Sequence, residues 1–291
     1  MKAAPFAYHR AESAKEAADV LAEFGDEAKV LAGGQSLIPL LAMRLTHFEN
    51  LVDISGIPEL QGIDRVDDEV VIGAGTSHAL VGMDDEVAES VPLLTRATPH
   101  IGHFQIRNRG TLGGAIAHAD PAAEFAAVAL TLDATIEAAS SRGDRRIAAS
   151  DFFTGLWENA LAADELLRAV RFPVWSGRTG FAVHEFARRH GDFAIAGATV
   201  AVELDAEDRV RRVAVGLLGL GSTPHRGTPA ERAVTGRPVS DIAADEFGRL
   251  ALSELHDIPA DLQGSASYRR RVGAAMVARA WTDATTEALD A

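Results

Sequence analysis

The sequence predicts an α+β protein in three sub-domains, and three observations carry that prediction. Residues 1–56 alternate strand and helix patterns, with a double glycine between them. Residues 57–175 hold apolar runs paired across turn residues, and residues 178–291 repeat that texture before closing on two helices. At 291 residues the chain can bury a substantial core, and 47% hydrophobic with 24% charged residues is an ordinary globular composition.

Each element has its own local reason. In "SAKEAADVLAEF" (13–24), Ser13 and Glu16 form a capping box and Ala14, Ala17, Leu21 and Phe24 share one face. Gly25 then supplies the stop. "AKVLAGG" reads as a strand running into the glycine pair, "SLIPLLAMRL" as a short helix with Pro39 near its start, and "NLVDI" as the returning strand. "LQGIDRV" and "EVVIGAG" flank Asp67 and Asp68 as a hairpin, and "ESVPLLTRATPHIG" is helical around Leu93 and Leu94. "ATIEAASSRGDRRIAA" is a second hairpin turning at 141–144, followed by the strand "ELLRAVRFP". "VWSGRTG" (174–180) reads as a linker. Beyond it, two apolar runs pair around residues 205–208, and helices follow near 240–255 and 265–288.

Charge and composition narrow the function. A formal net charge of −14 argues against a nucleic-acid partner, which needs a basic face. An anionic ligand therefore requires a local site. With no cysteine there is no disulfide, no thiol nucleophile and no Cys-ligated metal or iron–sulfur cluster. "MKAAPFAYHR" lacks an apolar leader core and no apolar run reaches about 18 residues. The expectation is a cytoplasmic protein without a signal peptide or membrane span.

Familiar signatures fail. His78 stands where a dinucleotide fingerprint starting at Gly73 and Gly75 needs glycine, and Ser222 replaces the lysine of a phosphate loop in "GLLGLGST". "GQSLI" lacks the second glycine of a nucleophile elbow. His100 and His103 have no metal-binding companions. The basic runs "RRH" (188–190) and "YRRR" (268–271) read as solvated faces.

Two glycine loops survive. "LAGGQSL" (31–37) sets Ala32, Gly33 and Gly34 after a strand, with Gln35, Ser36 and Leu37 at a helix mouth. "GTLGGAIAHAD" (110–120) sets Thr111, Gly113, Gly114 and Ala115 behind Arg107 and Arg109, and ends on His118 and Asp120. Strand-to-helix bends present consecutive N–H groups and a positive helix end, which suits phosphate. A charged hydrogen bond contributes about 1.5–3 kcal/mol, whereas salt screens diffuse repulsion beyond about 8–10 Å. Singly, each loop is an ordinary turn, with Asp120 and Pro121 as helix cap and first residue. Together they favour a dinucleotide gripped at its diphosphate.

The stretches "AGGQSL", "TLGGAIAHADPAAE" and "RRHGDFAIAGATV" resemble the FAD-binding medium subunit of molybdenum hydroxylases. That family includes the medium chain of aerobic carbon monoxide dehydrogenase and the flavin portion of xanthine dehydrogenase. The resemblance runs over essentially the whole chain. It implies the FAD-binding fold of the vanillyl-alcohol oxidase and p-cresol methylhydroxylase type, with a C-terminal α+β domain. Residues 32–37 and 111–115 would cradle the FAD diphosphate from two sides. Ile101 would pack on the isoalloxazine, Glu124 would face its polar edge or the ribityl chain, and Phe193 would cover it. His118 and Asp120 would be neighbours of the cofactor. Relatives carry a lysine near the pyrimidine end of the flavin where this chain has Glu185, which leaves His184 or Arg188 as alternative donors.

The resemblance also implies partners: a small iron–sulfur subunit and a large molybdenum-cofactor subunit, assembled as two heterotrimers. Electrons would leave through FAD to quinone, oxygen or NAD⁺. An alternative is a self-sufficient flavin reductase of the same fold, for which Ser222 is the one candidate proton donor.

Overall fold

The computed structural model describes residues 2–291. In the first unit, strands Ala7–Arg10, Asn50–Asp53 and Ala28–Leu31 lie side by side in that order, all parallel. Parallel neighbours need crossovers, and helices Ala14–Phe24 and Leu37–Met43 supply them. Ser13 Oγ accepts from the Glu16 N–H at 3.1 Å, and the Glu16 carboxylate reaches back to Glu12 N at 2.8 Å, one residue before the expected target. Ala14, Ala17, Ala18 and Leu21 are buried, and Gly25 ends the helix at φ 50°. The strand Ala7–Arg10 escaped sequence reading because its residues are mostly exposed and do not alternate.

The second unit is a five-stranded antiparallel sheet, ordered Ile63–Val66, Glu69–Gly73, Leu166–Pro173, Thr135–Ser140 and Gly143–Ala148. Its two hairpins turn where expected, with Asp67 (φ 53°) and Gly143 (φ 123°) in left-handed conformations. Helix Glu124–Thr131 has all eight residues buried. A helix apolar on every side is one enclosed on every side.

The third unit explains that enclosure. Strands Arg178–Phe186, Ala196–Leu204, Val210–Leu218 and His225–Arg226 form an antiparallel sheet. One face carries the helix Ala266–Asp290, and the other packs on Glu124–Thr131, where Thr131 Oγ1 and Thr199 Oγ1 meet at 2.6 Å. With both faces covered, Ala196–Leu204 is buried almost continuously. The core around Phe125, Ile136 and Phe172 accordingly takes in Phe181, Ala201 and Ala214 from this sheet.

Three expectations change. The linker shrinks to residues 174–177, because Arg178 already starts a strand. Trp175 pins it, 7% exposed, with the Arg212 guanidinium 3.9 Å from its ring centre. The "YRRR" run is a solvated face only in part: Arg270 and Arg271 are exposed, but Arg269 is 4% exposed and donates to the Gly219 carbonyl (3.1 Å) and the Asp261 carboxylate (2.7 Å). Arg270 braces the Leu252 carbonyl at 2.7 Å. The helix expected at 240–255 is Ala244–Ala251, preceded by an unforeseen Thr228–Val234.

Gly180 lets the long helix approach the sheet, since a Cβ there would overlap the Ala284 carbonyl oxygen. Gly180→Val is expected to lower unfolding free energy by on the order of 3 kcal/mol, measured by chemical denaturation.

Candidate functional site

The first glycine loop leaves the strand Ala28–Leu31, turns at Gly34 (φ 72°) and enters the helix Leu37–Met43. Ile38 N bonds the Gly34 carbonyl at 3.1 Å, and Gln35 Nε2 donates to the Gly33 carbonyl at 3.2 Å. Among the described residues no group accepts from the backbone N–H of Gly33, Gly34, Gln35, Ser36 or Leu37. Five consecutive unpaired donors need an acceptor from elsewhere, and a phosphate is one.

The second loop is built differently. Thr111 caps the helix Leu112–His118, its Oγ1 accepting from Gly114 N at 3.0 Å. Gly113 N bonds the Ala74 carbonyl and Ala115 N the Thr111 carbonyl, each at 3.0 Å. Its amides are thus already engaged, so the donor supply of the two loops is unequal. What Thr111 retains is a hydroxyl proton with no partner among the described residues. His78, 5% exposed, fixes the loop from below: its Nε2 lies 2.8 Å from the Thr111 carbonyl, and its N–H donates to the Gly110 carbonyl at 2.9 Å.

The loops abut. A Cβ at Gly33 would overlap the Arg109 carbonyl oxygen, and one at Gly114 would stand 2.9 Å from Thr111 Oγ1 and 3.5 Å from the Ala32 Cβ. Glycine is required here for close approach.

Seven-residue Leu112–His118 spans about 10 Å and leads away from the loops. His118 is half-buried and its pKa lowered by burial, partly countered by Asp120. Ala119 holds a left-handed turn (φ 54°) while fully buried. Asp120 Oδ1 accepts from Ala122 N at 2.8 Å and Oδ2 from Trp157 Nε1 at 3.2 Å. Asp120 therefore closes a turn, and the next helix begins at Glu124 rather than at Pro121.

Glu124 is 8% exposed, and burial pushes its carboxyl up to about 7, with Asp120 adding to the rise. The Glu185 side chain is 4% exposed and its Oε2 has no hydrogen-bond partner. Burial, then the charge of Glu124, push that carboxyl up to about 8. His100 Nδ1 lies 3.9 Å from Glu185 Oε2. The two alternative donors turn elsewhere: His184 Nε2 meets Asp283 at 2.6 Å, and Arg188 donates to the Leu262 carbonyl at 3.0 Å.

Sequence reading noticed Glu185 as a departure but missed its burial. The signal was strand alternation: Phe181, Val183 and Glu185 share the face toward the main core, and His184 the face toward the long helix. Nearby, Gly191 (φ 83°) packs against the Gly102 carbonyl oxygen, where a Cβ would come to 2.9 Å. This seats the loop bearing Phe193, 61% exposed, against half-buried Ile101. Ser222 is exposed in a bend. Among the described residues no group of three or more His, Cys, Asp or Glu could hold a metal, and no helix is long and apolar enough to cross a membrane.

A phosphate-ready bend without the usual dinucleotide fingerprint, pressed against a second loop from another sub-domain, suits a nucleotide cofactor held at its diphosphate. Comparison with known proteins gives the family. Residues 4–175 match the FAD binding domain in molybdopterin dehydrogenase, and residues 181–284 match the CO dehydrogenase flavoprotein C-terminal domain. The chain belongs to this family: it is a medium, FAD-binding subunit of the molybdenum hydroxylase type, and FAD is its cofactor.

It is 41% identical over 281 residues to 6-hydroxypseudooxynicotine dehydrogenase complex subunit alpha of Paenarthrobacter nicotinovorans, covering 96% of this chain and 94% of that one. It is 36% identical to the carbon monoxide dehydrogenase medium chain of Afipia carboxidovorans, covering 94% and 95%. Among solved structures, carbon monoxide dehydrogenase from Hydrogenophaga pseudoflava superposes with a TM-score of 0.95 at 33% identity, covering 99% of both chains.

Two outcomes follow from this geometry. Gly114→Asp is expected to abolish FAD retention by setting a carboxylate between the loops, and the flavin absorbance of purified protein measures it. His78, with its pKa lowered by burial to about 4, binds protons less readily folded than unfolded. Its contribution to stability is full above the unfolded value near 6.5 and is lost as pH falls toward 4. The loss is on the order of 3 kcal/mol, and denaturation against pH should show a shallower slope for His78→Gln.

Proposed function

We propose that this chain is the electron-transfer subunit of a molybdenum hydroxylase complex, standing between iron–sulfur clusters on another chain and an external acceptor. The observation that carries the reading is the row of unpaired amides at residues 33–37 pressed against the Thr111 loop. Those amides and the Thr111 hydroxyl bind the FAD diphosphate, together with the surfaces of Ala32, Gly113, Gly114 and Ala115. Ile101 packs on the ring system and the loop of Phe193 shields it from water. His118, Asp120 and Glu124 line the path between. Bound FAD supplies the redox chemistry, and the protein supplies position and electrostatics.

The absence of cysteine fits this division of labour, since the clusters must then sit on a separate small subunit. A large subunit would carry the molybdenum cofactor, with two heterotrimers joined in a cytoplasmic complex. Substrate choice belongs to that large subunit.

The test is expression of the chain alone and with its partners. The isolated chain is expected to bind FAD yet show no dehydrogenase turnover. From its source it should co-purify with one cysteine-rich small chain and one large chain. Robust substrate turnover by the isolated chain would overturn the reading in favour of a self-sufficient reductase.

A further inference from the structure

Between the helix Leu112–His118 and the central helix Glu124–Thr131 the chain passes through one turn, residues 119–123. Ala119 opens it in the left-handed region, at φ 54°, while fully buried. Glycine adopts that conformation freely, whereas a Cβ makes it costly. A hairpin from further along the chain grips this turn on both sides of Ala119. Its strands are Phe153–Gly155 and Glu158–Asn159. Asn159 Nδ2 donates to the Ala117 carbonyl at 2.7 Å, and Trp157 Nε1 donates to Asp120 Oδ2 at 3.2 Å. Ala117 lies in the last turn of its helix, where carbonyls lack intrahelical donors, so Asn159 supplies a C-terminal cap.

The hairpin carries an outlier of its own. Trp157 stands in the two-residue turn at φ 58°, a conformation that glycine or asparagine ordinarily fills. Its side chain is largely exposed, so core packing does not hold it there; the bond it makes is the one to Asp120. The root of the hairpin is fixed. Phe152 is fully buried and its carbonyl accepts from Ala160 N at 2.9 Å, while Arg145 Nη2 donates to the Ala160 carbonyl at 2.7 Å. Asn159 is braced as well, its Oδ1 accepting from Leu161 N at 2.9 Å.

We propose that residues 153–159 form a clasp, and that Asn159 and Trp157 are positioning residues for the flavin, acting through the turn that carries His118 and Asp120. Two left-handed residues with side chains face each other across two hydrogen bonds, and such conformations persist only where their surroundings over-determine them. Held this way, the turn is ordered before FAD arrives, and binding loses less conformational freedom. Without the clasp the turn would have to order on binding, which weakens affinity mainly through faster release. The inference rests on the FAD site described above.

The experiment uses the full chain stripped of FAD, compared with Asn159→Ala and Trp157→Phe. Hydrogen exchange reads the turn directly, because the amides of Ala119, Ala122 and Ala123 bond within it. They should exchange about fivefold faster in Asn159→Ala and about threefold faster in Trp157→Phe, with amides of the five-stranded sheet unchanged. FAD titration should give dissociation constants raised by similar factors, with the increase in the release rate. Asn159→Asp keeps the acceptor for Leu161 N but sets a carboxylate against the Ala117 carbonyl, and should bind FAD no better than Asn159→Ala. A merely structural hairpin would lower the denaturation midpoint and leave flavin affinity alone. Unchanged FAD affinity in both Asn159→Ala and Trp157→Phe, or faster exchange spread over the whole chain, overturns the proposal. Trp157→Phe alters only an exposed tip, so it decides the question even if Asn159→Ala fails to fold. If the unsubstituted chain binds no FAD, the FAD reading falls instead, and the exchange comparison still decides whether the hairpin holds the turn.

Discussion

The arrangement depends on one contact, Gly33 lying against the peptide that joins Arg109 to Gly110. A side chain at residue 33 would collide with the Arg109 carbonyl oxygen, so the two loops touch only because that position has no Cβ. The contact joins the parallel unit to the antiparallel one and leaves the amides of residues 33–37 without an acceptor among the described residues. His78 and the Thr111 cap hold the opposing loop still, so the donors face a fixed wall. A protein of net charge −14 can hold a diphosphate only if donors are concentrated in this way.

Much of the fold was legible because its signals are local. The Ser13 cap, the hairpin turns at Asp67 and Gly143, and the paired runs flanking residues 205–208 are each written within a few residues. What was not legible depends on partners distant in sequence. Ala7–Arg10 becomes a strand only because Asn50–Asp53 lies beside it, and nothing in "AYHR" says so. Arg269 looks like a surface charge until the carbonyls of Ile195 and Gly219 and the carboxylate of Asp261 converge on it. Trp175 hid in an apparent linker for the same reason.

The site divides along the same line. Both glycine loops could be picked out from their composition, yet only the folded chain separates the bend with unpaired amides from the one whose amides are capped. His78 was read as a missing glycine and turns out to be the support under Thr111. Glu185 was read as a replaced lysine, and the folded chain shows it buried, with an oxygen that no group among the described residues bonds.

The helix Glu124–Thr131 has a consequence of its own. It is wrapped by the helices Pro92–Ala97 and Leu112–His118 and by the sheet that follows residue 177, and the two matched family segments share one hydrophobic interior through it. Cutting the chain between those segments would expose that interior on both fragments. The boundary visible in sequence comparisons is therefore not a seam in the hydrophobic interior.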